Sequence, residues 1–141
     1  MPVLFKRALA LLCAPLLALG LSACAKTVST SGFTGAEKQV AETIKNLQTD
    51  VTAGEQKKIC NNDLATTLVK QLSATRGGCQ QAVKNQLAEV DTFEVTVESI
   101  KLNGTTATAR VKSVYSGKSR PGTLTLAKEG DKWKISALSQ G

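Results

Sequence analysis

The 141-residue chain contains no histidine. That absence removes the Ser-His-Asp arrangement, and a Ser-Lys pair has no supporting motif here. It also leaves metal binding to thiols too few to complete the usual four-ligand zinc shell, so no metal or cofactor is expected. Aromatic side chains are nearly as scarce, at three Phe, one Trp and one Tyr. Single-stranded nucleic acids need stacking platforms, and the basic residues are dispersed along the sequence with only Lys57-Lys58 adjacent after the first residues, so nucleic acid is excluded as an expected partner. Long apolar runs are missing too. The longest, from Ala8 to Leu21, is interrupted by Pro15 and Gly20 and falls short of the about 20 residues that a membrane span requires.

What that run does have is a basic pair before it, Lys6-Arg7, and Leu21-Ser22-Ala23-Cys24 at its end. A charged n-region, a Leu/Ala-rich h-region and small residues before a cysteine resemble a bacterial lipoprotein signal peptide. The resemblance implies cleavage between Ala23 and Cys24, with Cys24 carrying a diacylglyceryl group. Two buried acyl chains, at about 0.8 kcal/mol per CH2, hold a protein stably on a bilayer where one chain does not. The expected organisation is therefore a signal peptide over 1–23, a lipidated cysteine and flexible tether over 24–35, and a single domain over 36–141. The expected location is the outer face of the cell membrane.

Removing Cys13 with the leader and assigning Cys24 to lipid leaves Cys60 and Cys79. Two cysteines outside the cytoplasm are expected to form a disulfide. The formal charge of +7 falls to near +5 without Lys6 and Arg7, a mild excess suited to a surface near anionic lipids.

From Ala25 to Gly35 the composition is Thr, Ser, Gly and Ala with one Lys, one Val and one Phe, the expected tether. Val40, Ile44, Leu47 and Val51 then recur at helical spacing, with Gly54 as the stop. Cys60, Leu64, Leu68 and Leu72 mark a second helical piece in which Asn61, Asn62 or Asp63 is a candidate cap. Arg76-Gly77-Gly78 breaks it, and Cys79, Val83 and Leu87 mark a third. Cysteines at the beginnings of two antiparallel helices would lie too far apart to bridge. The spacing thus predicts either a steep crossing or a Cys60 that closes a preceding helical turn.

Beyond Asp91 the period falls to two. Phe93, Val95 and Val97 alternate with polar residues, a phase change near Ser99 predicts a bulge, and Asn103-Gly104 predicts a hairpin. Ala107, Ala109, Val111 and Tyr115 share one face of the return strand. Ser116 to Gly122 is expected as a polar loop and Thr123 to Lys128 as a third strand. After a turn at Glu129-Gly130-Asp131, Trp133, Ile135 and Ala137 are expected to point one way along a fourth. Helices followed by strands with one apolar face give an α+β fold, N-terminal helices packed on a curved four-stranded antiparallel sheet.

This order of elements, with Cys60 and Gly-Gly-Cys79 on the helical part and a closing Gly-Asp-Lys-Trp-Lys-Ile strand, resembles the nuclear-transport-factor-2-like (NTF2-like, cystatin-like) superfamily of cone-shaped domains. It is similar to small lipoprotein members in high-GC Gram-positive bacteria. The resemblance covers roughly Gly35 to Leu138. It implies a cone, and in enzymatic members an Asp or His base opposite a Tyr or Asp donor inside it. Here the aspartates are Asp50, Asp63, Asp91 and Asp131, which read as a surface helix position, a cap, a strand entry and a turn. Asp91 with Tyr115 is the single pair that could serve an isomerase or dehydratase-like enzyme. The expected function is instead non-catalytic: an envelope-anchored module that binds a small apolar ligand or an envelope partner protein, with Phe93, Val95, Val111, Tyr115, Trp133 and Ile135 lining the cavity.

Overall fold

A computed structural model of the chain describes residues 28–88, 93–115 and 117–140. Residues 1–23, expected as a signal peptide, Cys24 and Asp91 lie outside the described residues. Four helical segments precede four strands. Helix α1 (Gly35–Thr52) buries Val40, Ala41, Ile44 and Gln48 and packs Leu47 and Val51 partly against the core, the face that the spacing predicts. It ends in a Schellman motif: the amides of Gly54 and Glu55 donate to the carbonyls of Val51 and Asp50, and Gly54 takes φ +69.

Helix α2 (Gln56–Lys58) runs into a π-helical turn (Ile59–Asp63), closed by the Leu64 amide donating to the Ile59 carbonyl at 3.0 Å. The chain then extends through Leu64 and Ala65 before α3 (Thr66–Ser73) and α4 (Gly78–Leu87). The second helical piece is therefore broken at Leu64, and Cys60 lies in the turn that follows α2. That placement resolves the spacing problem, since Cys60 and Cys79 are disulfide-bonded with Cα atoms 6.2 Å apart. Asp63 caps nothing: Ala65 holds the N-cap position of α3, and the carboxyl of Asp63 is buried.

Strands β1 (Phe93–Asn103), β2 (Thr106–Tyr115), β3 (Lys118–Glu129) and β4 (Lys132–Gln140) pair antiparallel in sequence order. Each hairpin loop has two residues and a glycine at positive φ, namely Gly104, Gly117 or Gly130. The predicted bulge on β1 falls between Val97 and Ser99. Two expectations for the sheet fail. Lys118–Gly122 belongs to β3, because its backbone pairs with Val111–Tyr115 even though its side chains are polar or small. Ala137 does not continue the Trp133–Ile135 face: a second bulge inserts Ser136, so Leu138 rather than Ala137 shares a face with buried Leu124.

The core lies between α1, the π-helical turn, α4 and the inner face of the sheet, and includes Val40, Ile44, Ile59, Ala109, Leu126, Trp133 and Ile135. Leu64 bridges Ile135 in parallel fashion, and the Ala65 amide donates to the Ile135 carbonyl at 2.7 Å, which covers part of the β4 edge. Val28 is also buried, 3% exposed, so the segment expected as tether is packed into the domain by its fourth residue.

Candidate functional site: the concave face of the sheet

Cross-strand partners point to the same side of a sheet, so the register assigns the inner face row by row. One row is Leu102, Ala107, Leu126 and Ile135. The next is Ile100, Ala109, Leu124 and Leu138, and beyond it lies Val97, Val111 and Gly122. Helix α1 packs on β1 and β4, the two edges, and so crosses over a curved sheet. The apolar inner face is buried on the central strands, at Ala107, Ala109, Leu124 and Leu126, and is less covered toward its two edges, where Val97 and Ile100 of β1 are half-buried and Leu138 of β4 is 61% exposed.

The six residues expected to line a cavity divide. Val95, Val111, Trp133 and Ile135 are buried among the core side chains, Phe93 is half-buried against it, and Tyr115 stands in β2 opposite Phe93, its side chain outside the described residues. The pair Asp91 and Tyr115 therefore has no described geometry. Small side chains at Ala107, Ala109 and Gly122 keep the central strands shallow. Larger residues there would fill the concavity: a Cβ on Gly122 would lie 3.6 Å from Val111 Cγ2.

Where this face is buried under α1, polar groups are few and mostly engaged. Gln48, on the buried side of α1, accepts through Oε1 from the Val95 amide at 3.3 Å. Thr43 donates its hydroxyl toward the carbonyl of Trp133 at 3.2 Å, fixing α1 to β4. Trp133 Nε1 is buried with no partner among the described residues.

One titratable group lies deep, and its sequence context conceals it. Asp63 is 4% exposed, its Oδ2 has no hydrogen-bond partner among the described residues, and its carboxyl is pushed up from 3.8 to about 7. Burial is the main cause, followed by the negative charge of Asp50 and a side-chain hydrogen bond with Asp50, while Lys134 opposes the shift. The protonated Asp63 carboxyl thus faces the side chain of Asp50. Asp50 is accordingly not the free surface position that its place in α1 suggests. On the opposite side of the helical layer, Gln56, Asn61, Gln80, Gln81 and Lys84 line a polar depression of about 640 Å³ over the disulfide. Among the described residues no cluster of three or more potential metal ligands occurs.

Comparison with known proteins agrees with this geometry. A solved structure titled "Rd1NTF2_05", carrying five named substitutions, superposes with a TM-score of 0.52 at 17% identity, over 76% of this chain and 100% of its own. A "Putative NTF2-like transpeptidase" from Campylobacter jejuni gives 0.49 at 18% identity, over 74% of this chain and 99% of its own. An NTF2-like protein of unknown function from Shewanella baltica gives 0.40 at 16% identity, over 77% and 97%. At 17% identity the first of these likenesses shows the fold alone. No curated protein matches the chain significantly. The family model described as "Putative lumazine-binding" matches residues 65–138, more than half of the chain and nearly the whole sheet, and the protein belongs to that family, with an NTF2-like fold.

Proposed function

We propose that the protein is a lipid-anchored, extracytoplasmic binding module that takes up a small, largely apolar ligand at the exposed β4 edge of its concave face, around Leu138. The observation that carries the binding role is the change across one row of the inner face, from buried Ala109 and Leu124 on the central strands to Leu138 on edge strand β4, which is 61% exposed. An apolar surface that stays uncovered at one edge of a curved sheet suits a ligand or an apolar partner segment. The family description, which names a small molecule, supports the same reading. The anchor rests on Lys6-Arg7, the apolar run and Leu21-Ser22-Ala23-Cys24.

Two measurements test this. Metabolic labelling with a fatty acid is expected to mark the wild type and not Cys24→Ala; equal labelling of both removes the anchor. Titration of the protein with an apolar fluorophore and with lumazine is expected to show saturable, one-to-one binding of at least one; no saturable binding of either leaves the concave face without a ligand role.

A second reading, an isomerase or dehydratase-like enzyme, draws on Asp63. A carboxyl with a pKa near neutrality is suited to general acid–base work. The readings separate on the fate of the ligand. Chromatography of extracted ligand after incubation returns it unchanged from a binding module, and isomerised or dehydrated from an enzyme.

A further inference from the structure

Acidic residues are missing from one continuous part of the chain. Residues 99–128 contain six cations, Lys101, Arg110, Lys112, Lys118, Arg120 and Lys128, and no aspartate or glutamate. In sequence these charges are dispersed, but antiparallel pairing gathers four of them. Lys112 pairs with Pro121 and Ser113 with Arg120, while Arg110 and Lys118 stand two and three positions away on the same β2–β3 hairpin. By the register, Arg110 and Lys112 lie on the outer face and Lys118 and Arg120 on the inner one, so the ribbon is cationic on both faces. All four residues are exposed. The one acid in contact is Glu98 of β1, whose Oε1 lies 3.7 Å from Lys112 Nζ with both side chains about half exposed, a pair that is worth little.

We propose that the β2–β3 hairpin docks electrostatically on an anionic phospholipid bilayer and fixes the orientation of the domain on the membrane. The proposal rests on the anchored reading in one respect, the choice of a bilayer as the polyanion. Val28 is seated in the core, four residues from Cys24. At ~3.3–3.6 Å per residue, a lipid on Cys24 would hold Val28 within about 14 Å of the bilayer. A tether that short keeps the domain at the leaflet whichever way it turns, and an acid-free cationic hairpin that comes within the Debye length of about 8–10 Å at physiological salt is held there by the surface potential. The cations on α1, Lys38 and Lys45, are interspersed with Glu37 and Glu42 and form no comparable field.

The described core begins at Val28 and closes at Ile135, so the polypeptide 24–141 with Cys24→Ser retains every core residue without the leader or the lipid. Its binding to neutral phosphatidylcholine vesicles and to vesicles containing 30 mole per cent phosphatidylglycerol is compared by flotation. Preferential binding to the anionic vesicles, lost at high salt, is expected. Each hairpin cation in contact contributes about fivefold. Replacing Arg110, Lys112, Lys118 and Arg120 together by Gln should weaken binding at least tenfold, while replacing Lys38, Lys45, Lys57 and Lys70 by Gln should weaken it much less. Circular dichroism verifies that both variants fold. Equal binding to both vesicle types, equal loss in the two variants, or binding to a soluble polyanion such as heparin without binding to anionic vesicles overturns the proposal. None of these results bears on labelling of Cys24, so failure here is distinguishable from failure of the anchor.

Discussion

Asp63 follows two asparagines just ahead of a helical segment, the sequence context of a cap, yet the π-helical turn carries its carboxyl into the protein beside Asp50. Nothing in the residue pattern signals this, because the extra residue of a π-turn rotates a side chain off the face that 3.6 periodicity assigns it. The consequence is a proton that the folded chain holds up to about pH 7 and the unfolded chain releases near 3.8. Between those values the folded state binds more protons, so stability falls as pH rises, by up to about 1.4 kcal/mol per pH unit where the difference is a full proton. Lys134 moderates the fall, although its Nζ is engaged with the Asn61 carbonyl at 2.9 Å. Asp63→Asn keeps a donor toward Asp50 at every pH. Urea denaturation between pH 4 and pH 8 should show a declining midpoint for the wild type and a flatter profile for the variant, which becomes the more stable protein above pH 7. Parallel profiles would mean that Asp63 does not hold its proton toward neutral pH in solution.

At the level of elements, the alternation Phe93, Val95, Val97 and the Asn-Gly pair were sufficient to place β1 and its hairpin, and the broken phase after Val97 located the first bulge. The second bulge was not legible, since Ser136 is small and polar and fits either an alternating strand or an inserted residue. Only pairing with Thr125 and Leu126 distinguishes them, with the Ser136 hydroxyl donating to the Thr125 carbonyl at 3.1 Å. Likewise Lys118–Gly122 reads as loop because its composition is polar, whereas strand formation there is dictated by the β2 backbone alongside. Helical periodicity located α1 correctly but joined Cys60 to α3, since Leu64 happens to fall in phase. The disulfide then ties two elements of the helical layer that share few other constraints, and it closes a separation of 19 residues. Loops of that size contribute about 3 kcal/mol in the chain-entropy model. Replacing both Cys60 and Cys79 by Ser should lower unfolding free energy by about that amount, with amide exchange accelerating most in α3 and α4. Gly54→Ala tests the end of α1 independently. The added Cβ meets nothing closer than Gln56 Nε2 at 3.9 Å, so its cost of about 1 kcal/mol comes from the left-handed backbone alone.

For the molecule as a whole, the bulge at Ser136 and the curvature of the sheet have a joint effect that neither has singly. The bulge returns Leu138 to the inner face, and the curved sheet under α1 leaves that edge of the face uncovered, so a leucine sharing a row with buried Ala109 and Leu124 is itself 61% exposed. Two leucines paired across β3 and β4 thus differ sharply in what they contribute. Leu124 is 4% exposed, and a charge there would be desolvated without a partner, which costs enough to prevent folding of a domain of ordinary stability. Leu138 contributes little to the core, and a polar replacement there should change stability by no more than about 0.5 kcal/mol. If the exposed β4 edge of the face receives the ligand, Leu138→Gln should leave the thermal midpoint within a few degrees of the wild type while weakening uptake of an apolar fluorophore severalfold, because the removed side chain contributes apolar contact only when the site is filled. Unchanged uptake in a folded Leu138→Gln protein would place the binding surface elsewhere, since no other large apolar side chain on the described part of the inner face stands so far out into solvent.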